Sequence, residues 1–182
     1  METLARAREM VDSPHYLPQR RVALESLDLR SIDAPIVDLI ADFATLSHCF
    51  TLQSCYGHLL CSSAQAPNTL DRVPTGHKGS VRYRIAYIAV CIANDSSGRS
   101  LLESLRQVPA IDPEYIQFGS ADWFWRRWPN SYALQVEPMR YKRRDEAVLQ
   151  VAEALHVQTT RDVFFRELRT LVTRELGERH AG

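Results

Sequence analysis

The sequence predicts an α+β fold: a single domain in which a mixed, largely antiparallel sheet carries packed helices. Three observations lead there. Apolar residues recur at helical spacing in Ile36, Leu39, Ile40 and Phe43, and again at Leu101, Leu102 and Leu105. Stretches of alternating or continuous β-branched and aromatic residues separate and follow them, above all VRYRIAYIAVCIA at 81–93. The chain has 182 residues, 45% hydrophobic and 24% charged, enough for one ordinary core and unlike disordered, collagen-like or coiled-coil sequences.

In chain order, residues 1–30 read as an N-terminal helical arm: an amphipathic helix over 1–11, stopped by Ser13-Pro14 and Pro18, then a second from 19 to about 29. Residues 31–140 form the α+β core. Ser31 or Asp33 caps a helix over 33–46 whose first turn tolerates Pro35. A strand follows near 49–60, where Gly57 permits a bulge or a close backbone approach. Residues 62–80, with two prolines and two glycines, announce a long loop. The segment 81–93 is expected as a central strand, and 97–107 as a helix capped by Ser97 or Ser100 and ended before Pro109. Strands are expected within 114–128 and at 131–138, with 122–128 and 131–138 closing a hairpin at Pro129-Asn130. A helix pair over 141–182 completes the domain. Its second helix is capped at Thr159 or Thr160, and the pair covers apolar surface or builds a homodimer interface.

Charge and composition exclude several function classes. Twenty-two basic residues balance 22 acidic ones, so an RNA partner would be gripped by a local patch rather than by net charge. Four cysteines (Cys49, Cys55, Cys61, Cys91) are too few for a disulfide scaffold, and METLARAREMVDS lacks the apolar stretch of a secretory signal; a reducing cytoplasm is the expectation. The longest mostly apolar run, Ile85 to Ala93, covers 9 residues. A bilayer-crossing helix needs about 20, so no membrane partner is expected. The seven glycines never stand as G-x-G, which excludes Rossmann and Walker loops and the common doubly wound methyltransferases; G-x-S-x-G and H-E-x-x-H are absent too.

Chemistry concentrates in two places. The first runs from His48 to His58, HCFTLQSCYGH, with Cys61 close behind. Three thiols and two imidazoles invite a zinc reading. However, C-x-x-C spacing is missing, and an extended segment would put Cys55 and Cys61 on one face and His58 on the other, so no metal is assigned. A Cys-His nucleophile pair and inert buried cysteines are the other accounts of the same residues. The second place is ADWFWRRWPN. In an extended segment Trp123, Trp125 and Arg127 would share one face and Phe124, Arg126 and Trp128 the other, a pattern suited either to stacking RNA bases or to filling a core. Lys78, within Gly76-His77-Lys78-Gly79, could serve an anion nest or a lid, or lie in a solvated linker. The basic run 140–144 could extend the patch around Arg126 and Arg127.

SIDAPIVDLIADFATLSHCFTLQSCYGHLL resembles the opening of the wybutosine-pathway tRNA methyltransferase family, the third enzyme of that pathway, in which a helix leads into a Ser-Cys-x-Gly-Arg motif. Ser54, Cys55 and Gly57 match that motif, and RIAYIAVCIA, SGRSLLESL, IQFGS and SYALQVEP extend the likeness loosely to residue 138. The resemblance implies a shared α+β fold and an S-adenosylmethionine-dependent activity on tRNA or a nucleotide-like substrate. On that reading Ser54, Cys55 and Gly57, which match the motif, lie at the cofactor; side-chain chemistry adds Ser54 and His58 as the catalytic pair and turns Lys78, Trp123, Trp125, Arg126 and Arg127 toward RNA. This chain departs from the family in having Tyr56 for a small residue and His58 for an arginine, and in lacking a Trp-and-His segment between the motif and the next strand. Those departures also fit a second reading: a non-catalytic protein with a closed pocket that binds a ligand or partner.

Overall fold

The computed structural model describes residues 4–141 and 145–178. It is a single α+β domain of antiparallel sheets and packed helices. An extended arm leads into α1 (Tyr16–Glu25), two short 3-10 turns and α2 (Val37–Thr45). Then come β1 (Cys49–Cys55), β2 (His58–Leu60), the long loop, β3 (Ser80–Arg84), β4 (Ala86–Ile92) and α3 (Ser96–Gln107). The chain closes with β5 (Ile116–Gly119), α4 (Asp122–Arg127), β6 (Ser131–Val136), β7 (Glu146–Gln150) and α5 (Val151–Glu178). One sheet has the order β1-β4-β6-β5, the other β2-β3-β7. α2, α3 and α5 bury Leu39, Phe43, Leu101, Leu105, Phe164 and Leu168 in one core shared with both sheets.

Two expected strands break at one corner. The 49–60 segment divides at Tyr56-Gly57 and the 81–93 segment at Ile85, so both pass from one sheet to the other between the register pairs Cys55↔Tyr87 and His58↔Arg84. Gly57 makes this crossing with φ +87°, and a Cβ there would stand 2.8 Å from the Ala86 Cβ and 3.0 Å from the Ala86 nitrogen. Only glycine fits both the left-handed backbone and the close approach. The break leaves backbone groups to satisfy, and the buried Tyr83 hydroxyl does so, accepting from Ala86 N–H (2.9 Å) and donating to the Val136 carbonyl (2.9 Å). Ile85 N–H donates to the Asp145 carbonyl (3.1 Å).

Elsewhere tertiary pairing overrides local propensity. Residues 4–11 are extended rather than helical: Ala5 pairs with Ser120, and the Asn130 side chain holds both backbone groups of Val11 at 2.8 Å. A helix this short is marginal in isolation, whereas the arm finds ready partners along the sheet. The second arm helix is α1, which runs over Tyr16–Glu25 rather than 19–29 and takes Pro18 into its first turn, where no intrahelical N–H is forfeited; its Arg20 Nη2 donates to the Ala44 and Leu46 carbonyls (2.9 Å each) at the end of α2. Asp95, not Ser97 or Ser100, caps α3 by accepting from Gly98 N–H. The C-terminal helix pair is instead one strand, β7, and one helix of 28 residues. Thr159 and Thr160, expected as caps, sit inside it: Thr159 Oγ1 donates back to the Leu155 carbonyl (3.1 Å) and Thr160 Oγ1 to Asp112 (3.0 Å), so neither interrupts the helix. No described helix is long and apolar enough to cross a membrane.

Candidate functional site

The corner where the strands change sheets opens into a cleft of about 990 Å³. Ser54 and Cys55, from the end of β1, and His58, from the start of β2, form one wall, with Asp33 beside them. Arg84 and Tyr87, flanking the Ile85 break, and Gln135 of β6 also line it. A further wall is α4, with Trp123, Phe124, Arg126 and Arg127. Segments about 70 residues apart in sequence thus line one cleft.

His58 is buried and held from two sides. Its Nδ1 lies 3.0 Å from the Thr69 carbonyl oxygen, which can only accept, so Nδ1 carries the proton. The other ring nitrogen, Nε2, lies 3.6 Å from Asp33 Oδ2. Asp33 occupies the N-cap position of a 3-10 turn, but its carboxylate accepts instead from Tyr56 N–H (2.8 Å), tying the start of the core to the corner. Gly57 N–H donates to Cys55 Sγ (3.4 Å). Burial, chiefly, pushes the Cys55 thiol up to about 11, so the neutral thiol prevails and a Cys-His nucleophile pair is disfavoured.

Gly57 itself lies behind the wall, where its carbonyl accepts from Nη1 of the fully buried Arg161 (2.9 Å). Tyr56 turns the same way, out of the cleft. Its ring lies stacked at 5.3 Å from Phe165, the Arg161 guanidinium sits 4.1 Å from the ring centroid, and its hydroxyl donates to Asp162 (2.8 Å). Burial alone would raise the Asp162 carboxyl, but hydrogen bonds from Arg72 and Tyr56 and the charge of Arg161 outweigh it and hold the group below its ordinary value.

The α4 wall corrects the strand expected at 122–128. As a helix it puts Trp123 and Arg127 one turn apart, with the guanidinium 5.2 Å from the Trp123 ring and 4.9 Å from that of Trp128. Trp123, Arg126 and Arg127 face the cleft, whereas Trp125 packs edge-on against Tyr132 (5.7 Å) beneath the Arg8 guanidinium (5.4 Å). Trp128 lines a separate groove of about 630 Å³ beside α1. Lys78 is exposed in the loop 61–79 and is not among the residues that line the cleft. Of the basic run, Lys142, Arg143 and Arg144 lie outside the described residues.

Sequence reasoning missed Asp33, Arg84 and Arg161. Asp33 read as a cap, and Arg84 as one side of an alternating strand. For Arg161 only its position on the apolar stripe of a helix was a signal.

No protein-family model matches this chain, and no curated protein does. Among solved structures, the PH1069 protein from Pyrococcus horikoshii is similar with a TM-score of 0.50 at 12% identity, over 88% of this chain and 96% of that one. A second structure of that protein, from Pyrococcus horikoshii OT3, gives 0.48 at 13% identity over 89% and 94%. A hypothetical protein from Aeropyrum pernix gives 0.41 at 12% identity over 79% and 96%. The first likeness concerns the fold alone.

Proposed function

We propose that this chain is an S-adenosylmethionine-dependent methyltransferase acting on tRNA or a nucleotide-like substrate. One observation carries the reading: the residues that resemble the family motif and the aromatic, cationic helix α4 form two walls of one cleft. Its volume lies at the upper end of the roughly 300–1,000 Å³ of ligand clefts, room for an adenosyl group beside a base. The donor set suits such a cofactor. Tyr87 and Trp123 offer aromatic faces, Arg84 a guanidinium for a carboxylate, and Asp33 a negative charge for a sulfonium. When bound, the cofactor supplies an electrophilic methyl group.

The protein's own part is positioning and proton transfer. Ser54 orients the acceptor with its hydroxyl, and His58 Nε2, freed by the Nδ1 contact to Thr69, accepts a proton. Trp123 stacks a splayed base while Arg126 and Arg127 hold phosphate. Because Tyr56 packs behind the wall, its bulk does not close the cleft.

Calorimetric titration with S-adenosylmethionine and S-adenosylhomocysteine tests the reading. Micromolar binding that Ser54→Ala weakens, with turnover on a tRNA substrate abolished in a folded His58→Ala, is the expected result. Absence of cofactor binding refutes it and leaves a non-catalytic binding protein.

A further inference from the structure

We propose that Asp33, Cys55 and His58 form a zinc site in the cleft wall, with a fourth position left open toward the cleft. Gly57 is what makes the arrangement available. In an unbroken strand Cys55 and His58 would point to opposite faces, but the positive φ of Gly57 turns the chain between them. As a result a carboxylate oxygen, a thiol sulfur and an imidazole nitrogen, one from each residue, lie within 4.8 Å of one another.

The surroundings are those of ligands already oriented. Thr69 fixes the His58 tautomer so that the Nε2 lone pair faces Asp33 Oδ2 across 3.6 Å, two acceptors with nothing to share unless a cation or a proton lies between them. Two ligand atoms about 2.0 Å from one zinc ion at the tetrahedral angle stand roughly 3.3 Å apart. Backbone N–H groups of Tyr56 and Gly57 hold the Asp33 oxygen and the Cys55 sulfur, the outer hydrogen bonds that metal ligands characteristically carry. One nitrogen, one sulfur and one oxygen suit zinc, and disfavour magnesium and calcium, which take oxygen alone. On binding, the thiol S–H breaks, a Zn–S bond forms and the proton leaves to solvent. A zinc-bound water, its pKa lowered to about 7, would then replace His58 Nε2 as the proton acceptor. The site requires only the three donor atoms and does not rest on the methyl-transfer reading.

Wild-type protein equilibrated with Zn2+ and passed through gel filtration should retain one zinc per chain. With Co2+ it should show a thiolate-to-cobalt charge-transfer band and the visible bands of four-coordinate cobalt. Cys55→Ser should lose the charge-transfer band and Cys61→Ser keep it. Asp33→Asn should weaken zinc binding by more than the roughly 10- to 100-fold that outer partners of metal ligands carry. If Cys55→Ser fails to fold, iodoacetamide labelling of wild type with peptide mapping answers instead, and zinc should protect Cys55. No retained zinc, a charge-transfer band that survives Cys55→Ser, or protection of Cys61 alone overturns the site. Retained zinc without S-adenosylmethionine binding supports the site and refutes only methyl transfer; the reverse result refutes only the site.

Discussion

The two walls of the cleft are built in opposite ways. The β1–β2 wall is locked into the core. Its turning residue touches Ala86 closely enough to exclude a methyl group, its carbonyl is held by a fully buried guanidinium, and its histidine is 3% exposed. The other wall is a six-residue helix with none of its residues buried, whose Trp123 is 47% exposed and packs against the rings of Phe124 and Trp128 and the guanidinium of Arg127. Groups that must hold donor atoms to fractions of an ångström sit on the rigid wall. Groups that need only offer flat faces and charge sit on the adaptable one.

The largest test of this contrast is Gly57→Ala. It combines left-handed backbone strain with a methyl group 2.8 Å from Ala86 Cβ, and should cost about 2–5 kcal/mol in denaturant unfolding. Gly76→Ala, also at positive φ but with nothing within 4 Å, should cost only about 1–2 kcal/mol. Equal losses would mean that the corner is not locked. Next in size, Trp123→Ala should leave stability within about 0.5 kcal/mol while weakening single-stranded RNA binding by about 1–3 kcal/mol in a fluorescence titration. Unfolding by that variant would show the α4 wall to be structural.

The smallest effect reads the support behind the locked wall. The folded carboxyl of Asp162 titrates below its ordinary value of 3.8, so its contribution to stability is present above that pH and is lost as the pH falls through the lower, folded value. The stability gap between wild type and Asp162→Asn should be constant near neutrality and shrink in acid below about pH 4. A gap independent of pH would assign the effect to packing rather than to the charge.

Much of this was legible in the sequence, for reasons that differ by region. The amphipathic spacing in α2 and α3 and the apolar run of β4 gave the core elements, because burial patterns are local records of where a chain faces inward. The corner left no such record. Ile85 lies within continuous apolarity, and a glycine in a strand signals several geometries alike. The segment 122–127 carries good β-forming aromatics, yet forms a helix because its rings pack on one another and on Tyr132. Thr159 and Thr160 look like caps to any local reading, and only their partners, Leu155 and Asp112, reveal a continuous helix. For the site, both chemical clusters were visible as compositions. That they share a cleft, and that Asp33 and Arg161 belong with them, depends on contacts across the whole chain.

One of those contacts has a temporal side. The hydrogen bond from Arg161 to the Gly57 carbonyl joins residues 104 positions apart. During synthesis the sheet-changing turn emerges early and must wait for nearly the whole domain before its latch arrives. A nascent chain stalled before residue 161 would thus carry the sulfur and imidazole of the cleft without the bond that fixes their spacing. The geometry of the cleft is expected to set only once α5 has been made.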